Sequence, residues 1–405
     1  MSKATILSIN ECDYGSTGTI AKNVLLACES NGFETLLATF ETKSPYKNEI
    51  IISKNKPYNF VNRVLCRIGG GDGFFNKTAS RTLIKKIEHL NISLIHLHNI
   101  HGRYINLPLI LKFAYNNNIP IVWTLHDCWA FTGRCPHFEY INCYKWKKLC
   151  NKCPSRKEYP ASLLFDGSAK YFRKKQKLFA LYRDKLTIVS PSNWLDNHLS
   201  HSILSCVHHI VIHNGINSPC KVSNKETEEM IKKYSLRNKK VFLFITDGVR
   251  PKKGFQFIKR LSKELDASKY AFIVVGINNL VLENNDSIIN VGYVSSRDEL
   301  AKYYTICDAL INPTLEDNFP TVNLEALSYG KPVITFDTGG SPESIDSKSG
   351  VVVEKQSYEE LKTAVISFDK TDFSKEECYN AYLKFTTHKM CEQYVQLFKN
   401  LMEKK

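Results

Sequence analysis

The 405-residue sequence has no apolar run long enough to cross a lipid bilayer. Its opening, MSKATILSIN, lacks the long apolar region and small-residue cleavage site of a secretory leader, so a cytosolic chain is expected. It has no internal repeat and no low-complexity linker. A Gly-Lys-Ser/Thr phosphate loop is absent, and so is the complete glycine fingerprint of dinucleotide binders. No helix-turn-helix, RNA-recognition or zinc-finger pattern occurs, so nucleic acid is not an expected partner. No Asp-x-Asp pair stands near a predicted strand end, so no metal is expected to be required for chemistry.

What is present is an ordinary globular composition, 43% hydrophobic and 23% charged. A chain of this length is expected to split into two domains of about 200 residues. In a cytosolic chain the thirteen Cys are reduced thiols or metal ligands rather than a disulfide framework. Charge is uneven. Residues 1–200 hold 28 Lys and Arg against 14 Asp and Glu, a net of +14, whereas residues 201–405 hold 27 against 26, a net of +1. The basic half suits an anionic membrane surface or a lipid-linked phosphate; a generic basic surface is the plain alternative. The expected membrane contact is Arg173, Lys174, Lys175 and Lys177, interleaved with Tyr171, Phe172, Leu178 and Phe179.

Strand and helix patterns alternate along the chain. Thr5–Ile9, 35–40, 94–98, 119–124 and 186–190 read as strands, with helices at about 19–31 and 106–117. The pattern restarts after about residue 210, with strands at 241–245 and 271–275 and helices at 254–266 and 297–306. Such alternation predicts α/β domains with helix-covered parallel sheets.

Residues 311–343, INPTLEDNFPTVNLEALSYGKPVITFDTGGSPE, carry the most chemistry. Asp317 and Glu325 flank a turn containing Asn318, Phe319, Pro320 and Thr321. Glu325 is expected to open a helix ending at Gly330, before the strand Val333–Phe336. Backbone N–H groups at a helix start suit phosphate, and carboxylates suit sugar hydroxyls. Together they fit a nucleotide-sugar.

This stretch resembles the acid–seven residues–acid signature of retaining family 4 glycosyltransferases, in the form seen in colanic-acid and capsule types. The resemblance implies the GT-B architecture, two Rossmann-like parallel-sheet domains facing a cleft. The expected domains are 1–205 on the acceptor side, with a Cys-rich insertion at about 128–155, and 206–385 for the nucleotide-sugar. A last helix, 386–405, is expected to cross back to the first domain. Where many members carry the first Glu this chain has Asp317, with Glu316 one place earlier, so either acid is a candidate for that role.

Other constellations fit the same reading. Gly15 and Gly18, in a loop after the first strand, permit close approach to a diphosphate. Arg250-Pro251-Lys252-Lys253-Gly254 resembles the family's Arg…Lys-Gly element, with Lys253 on the Lys position and Arg250 shifted in register. His126, at a strand tip before Asp127, is implied to contact the transferred sugar. His96, His98 and His101 are expected to pack or to line the acceptor site. Cys135, Cys143, Cys150 and Cys153 are candidates for a structural zinc, with plain thiols as the alternative. Gly339-Gly340-Ser341-Pro342-Glu343 resembles the family's Gly-Gly-x-Pro-Glu turn, with Glu343 either a cap or a donor contact.

The expected catalytic set is His126, Asp317 and Glu325. The expected activity is sugar transfer from a UDP- or GDP-sugar to a lipid-linked saccharide in bacterial surface polysaccharide biosynthesis, with retention, at the inner face of the plasma membrane. The competing reading is a GT-B-like scaffold subunit without activity. A phosphorylase would need a pyridoxal-phosphate lysine site, for which the sequence makes no case.

Overall fold

A computed structural model of the protein describes residues 3–53, 56–278 and 287–403. The chain divides into two compact units, one formed by Met1–Asn214 with Thr387–Lys405 and the other by Gly215–Thr386. Each is built on a parallel sheet.

The first unit contains β1 (Thr5–Ile9), β2 (Glu34–Thr39), β3 (Glu49–Ile51), β4 (Ile92–Leu97), β5 (Ile121–Thr124), β6 (Leu186–Ser190) and β7 (His208–Val211). They pair in the order β3-β2-β1-β4-β5-β6-β7, all parallel. Because β7 pairs with β6, this unit extends beyond residue 205. Side chains alternate across the sheet. Leu7, Ile9, Ile95, Leu97 and Trp123 join the core on one face, and Ile6, Leu37, Leu94, Val122 and Val189 the core on the other. The second face is covered by helix Gly15–Ser30, through Ile20, Val24 and Cys28, and by helix Thr387–Glu403, through Met390, Tyr394 and Phe398. Full burial of such a side chain contributes roughly 1.5–3 kcal/mol.

The second unit contains β8 (Lys240–Ile245), β9 (Tyr270–Val275), β10 (Ile288–Gly292), β11 (Ala309–Asn312), β12 (Val333–Phe336) and β13 (Gly350–Val353). Their order is β10-β9-β8-β11-β12-β13, again parallel. Strand order reverses between β8 and β11. In open α/β sheets, ligands bind beyond the carboxyl ends of the strands at such a switch point. The loops following β8 and β11 are therefore the place to look for a site.

Two helix starts differ from expectation. The first helix begins at Gly15 rather than near 19, so Gly15 and Gly18 form its first turn instead of a free loop. The helix containing Glu325 begins at Thr321, which places Glu325 in the second turn. In both cases the turn residues were compatible with the helix and were absorbed into it.

The expected basic membrane contact is also corrected. Lys175 is fully buried, as are Tyr171, Phe172 and Phe179 on the same helix, Ser168–Tyr182. Its Nζ donates to the carbonyls of Trp129 and Thr132, the latter at 3.1 Å, and lies 3.3 Å from the centre of the Trp129 ring. Burial pushes its pKa down to about 7. Only Arg173, Lys174 and Lys177 of that group face solvent. Among the described residues, no helix is long and apolar enough to cross a membrane.

Candidate active site

The two switch-point loops of the second unit are laced together. The Leu315 N–H donates to the Lys252 carbonyl at 2.7 Å, and the Thr314 hydroxyl donates to the same carbonyl at 3.4 Å. Two adjacent ion pairs cross the same seam. Lys252 Nζ lies 2.8 Å from Glu316 Oε1, and Lys253 Nζ lies 2.8 Å from Asp317 Oδ2. Burial alone would lower the Lys253 pKa, but the Asp317 carboxylate outweighs it and holds the ammonium above its ordinary value. Lys253 is thus firmly charged.

Glycines fix this loop from two sides. Gly254 has φ +83°, and a Cβ there would stand 2.0 Å from the Pro313 carbonyl oxygen. Gly339 has φ +59°, and a Cβ there would stand 1.7 Å from the Asp317 carbonyl oxygen. Only glycine meets both demands. The Gly340 N–H then donates to the Asn318 carbonyl at 3.0 Å. Asn318 is buried, and among the described residues neither atom of its side-chain amide has a hydrogen-bond partner. Phe319 is buried and packs edge-to-face against Phe385, with ring centres 5.4 Å apart.

Pro320 precedes helix Thr321–Ser328, and no side chain caps the helix start. Its first-turn N–H groups point past the loop with partial positive charge. Further in, Asn323 is a buried hub. Its Nδ2 donates to the hydroxyls of Ser341 and Ser344, both at 3.0 Å, and its Oδ1 accepts from Asn312 Nδ2 at 2.8 Å. Glu325, two positions further along the helix, accepts from the Tyr304 hydroxyl at 2.7 Å. Burial raises the Glu325 pKa, and the Tyr304 hydrogen bond partly offsets the rise. The Tyr304 ring stacks on Tyr329, with centres 5.3 Å apart. Asp317 and Glu325 therefore have different neighbours, a lysine for one and a tyrosine for the other. Arg250 turns to solvent and pairs with Asp247 at 3.0 Å.

Sequence reasoning singled out Lys253, Asp317 and Glu325 but gave no role to Asn323 or Tyr304. A buried Asn inside an apolar helix pattern was the available signal for the first. Tyr304, 21 positions before Glu325, had none.

In the first unit, Asp13 fixes the loop after β1. Its carboxylate accepts from the N–H groups of Lys43 at 2.8 Å and Ser44 at 2.7 Å. Gly15 and Gly18 follow in the helix's first turn. The histidines form a buried chain at the ends of β4 and β5. His98 Nδ1 and His126 Nε2 share a hydrogen bond of 3.0 Å, and the rings stack at 5.3 Å. Burial lowers the His126 pKa to about 4, so the imidazole is neutral at pH 7. His101 behaves differently. Its Nε2 lies 2.7 Å from Asp127 Oδ2, and that carboxylate outweighs burial to raise its pKa. Asp127 in turn is held at about 2, because His101 overrides the effect of burial.

Cys135, Cys143, Cys150 and Cys153 line one small cavity with Gly133 and Ser168, and the Gly133 N–H donates to Cys150 Sγ at 3.1 Å. Burial pushes the Cys135 thiol up to about 12 and the Cys150 thiol to about 11. Among the described residues, no three His, Cys, Asp or Glu side chains are placed to hold a metal ion. The four thiols singled out in the sequence thus face one shared cavity.

Two parallel-sheet domains, with a lysine-paired acid loop at the switch point of the second, define a GT-B glycosyltransferase. Family comparison agrees. The model described as "Glycosyltransferase Family 4" matches residues 17–218, and that described as "Glycosyl transferases group 1" matches 226–383. The chain belongs to the family 4 glycosyltransferases. It is 23% identical over 337 residues to the putative colanic acid biosynthesis glycosyl transferase WcaC of Escherichia coli, covering 76% of each chain. It is 24% identical to an uncharacterised 41.2 kDa protein in the cps region of Klebsiella pneumoniae, covering 78% of this chain and 82% of that one. Among solved structures, Anabaena HepE in complex with UDP superposes with a TM-score of 0.66 at 13% identity, covering 98% and 100% of the two chains. A glycosyltransferase from Rickettsia africae superposes with a TM-score of 0.66 at 16% identity over the whole of both chains.

Proposed function

We propose that this enzyme transfers a sugar from a UDP- or GDP-sugar to a lipid-linked saccharide during surface polysaccharide biosynthesis, with retention of anomeric configuration. The carrying observation is the double pair Lys252–Glu316 and Lys253–Asp317 beside an uncapped helix start. In this reading the donor diphosphate takes Lys253 and the N–H groups near Phe319–Thr321, with Arg250 swinging in as a second cation. Asp317, freed from Lys253, turns to the sugar hydroxyls; Glu316 is the alternative first acid. Glu325 accepts from the ribose hydroxyls, and the orphaned Asn318 amide gains a partner. Gly15 and Gly18 allow close backbone approach to the diphosphate. His126, neutral and fixed by His98, contacts the transferred sugar.

As the glycosidic bond breaks, negative charge grows on the leaving diphosphate. A fixed ammonium and oriented N–H donors stabilise it more in the transition state than in the ground state. The lysines supply this charge, so the reading uses no metal in the chemistry. UDP in the HepE complex and the colanic-acid and cps-region relatives support the donor and polysaccharide assignments. The lipid-linked acceptor places the protein peripherally on the inner face of the plasma membrane.

The test is release of UDP or GDP from a panel of nucleotide-sugars, with and without a polyprenyl-diphosphate-linked saccharide. Acceptor-dependent release is expected, with the product anomer read by NMR. Failure of every nucleotide-sugar to bind would reject the reading. Binding without turnover on any acceptor would favour a scaffold subunit.

A further inference from the structure

Helix Lys56–Gly69 is amphipathic in the inverted sense. Its inward face carries Asn62 and Cys66, both buried. Asn62 is anchored there, donating to the Tyr58 carbonyl at 2.8 Å and accepting from the Asn76 N–H at 2.9 Å. Its outward face carries Phe60, Val61, Val64 and Leu65, whose spacing puts them on one stripe. A second apolar element lies against the helix end. The Leu163 N–H donates to the Arg67 carbonyl at 2.6 Å and the Phe165 N–H to the Ile68 carbonyl at 3.0 Å, so Leu163-Leu164-Phe165 prolongs the stripe. Exposure across these side chains runs from 40% at Val64 to 68% at Phe165. A contiguous apolar surface of this kind marks an interaction site.

The charge around it selects the partner. Arg63 and Arg67 stand exposed beside the stripe, and no acidic residue occurs from 50 to 71. Arg156 Nη1 donates to the Leu164 carbonyl at 2.9 Å, which brings another guanidinium to the loop. Of the nearby acids, Glu158 is exposed, while Asp166 is engaged by the N–H groups of Cys153 and Ser168. Bulky apolar side chains flanked by arginines form the pattern of a helix lying in a membrane interface, with the arginine heads reaching lipid phosphates. The +14 net charge of residues 1–200 adds long-range attraction to anionic lipid.

We propose that this surface docks the protein on an anionic bilayer. Helix Lys56–Gly69 lies in the interface plane, and Phe60, Val64, Leu164 and Phe165 enter the acyl boundary. The inference rests on the membrane-carried acceptor proposed above, and is tested without any sugar transfer.

The test is flotation of the full chain with phosphatidylcholine vesicles, with and without phosphatidylglycerol. Binding is expected only to the anionic vesicles. Phe60→Ser combined with Leu164→Ser should weaken it by about tenfold or more. Arg63→Gln with Arg67→Gln should weaken it and reduce its salt sensitivity. Leu181→Ser, an exposed leucine on another helix, should have no effect. Leu164→Ser alone serves if the double variant fails to fold, as checked by thermal melting. Unaltered nucleotide-sugar binding in the same variants keeps this test separate from that of the donor site. Absence of binding to anionic vesicles, or indifference to the Phe60 and Leu164 changes, would overturn the proposal. So would a dimer in solution that Phe60→Ser converts to monomer, since the stripe would then be covered by a second copy.

Discussion

Lys253 and Asp317, 64 positions apart in sequence, meet at 2.8 Å across the seam between the loops after β8 and β11. The pair joins a cation suited to diphosphate with an acid suited to a sugar hydroxyl. Each holds the other in place across the seam. Lys253→Met should lower kcat/KM by at least about tenfold, ~1.4 kcal/mol of transition-state stabilisation, and raise KM for the donor. Asp317→Asn should lower kcat by a similar factor with the fold intact. Steady-state kinetics over a range of donor concentrations checks both. Glu316→Gln is the control; if it alone is crippling, Glu316 is the first acid.

Glu325 and Tyr304 supply a pH test. Burial raises the Glu325 pKa, and the Tyr304 hydroxyl holds it down. The acidic limb of the kcat/KM profile should therefore lie above the ordinary glutamate value of 4.5. Tyr304→Phe removes the restraining hydrogen bond, so the limb should move to higher pH. A limb that stays in place would mean that Glu325 does not control it.

His126 should not titrate near neutrality, because burial holds it at about 4. His126→Asn should reduce sugar transfer by about tenfold or more while leaving nucleoside diphosphate affinity unchanged. Calorimetric UDP or GDP titration alongside activity measurement separates the two effects.

Lys175 makes stability depend on pH. Its folded pKa of about 7 lies below the ordinary 10.5, so between those values the unfolded chain holds a proton that the folded chain has shed. Stability from this group therefore rises as pH increases through that window. Lys175→Met should cost about 2–4 kcal/mol by leaving the buried carbonyls of Trp129 and Thr132 without their donor. It should also remove the rise. Urea midpoints at about pH 7 and about pH 9 check this. The gap between the two proteins should be wider at the higher pH.

The parallel strands were the most legible part of the sequence. Val241–Ile245 and 271–275 are buried on both faces, so they read as unbroken apolar runs. The edge strands β3, β7 and β10 were not legible, because one edge lacks a partner and their side chains are mixed. Lys175 sits in a run of basic residues that reads as solvated; only its three-dimensional neighbours reveal its burial. Helix Lys56–Gly69 was missed for the opposite reason. Its apolar stripe points away from the core, so the pattern that normally finds a packed face has no packed face to find. At the site, the sequence singled out Glu316, Asp317, Glu325 and Lys253 but neither Lys252 nor the pairing of lysines with acids, which depends on two loops far apart in sequence.

Gly254 and Gly339 press the acid loop between two backbones, at 2.0 Å and 1.7 Å for any added Cβ. That restricts how the enzyme can be re-engineered. A loop gripped by main chain on both sides cannot slide or lengthen to admit a different donor. Changes in donor preference must come from exchanging side chains on a stationary frame. A mutagenesis library aimed at altered specificity should vary positions 316–321 and leave 254 and 339 untouched.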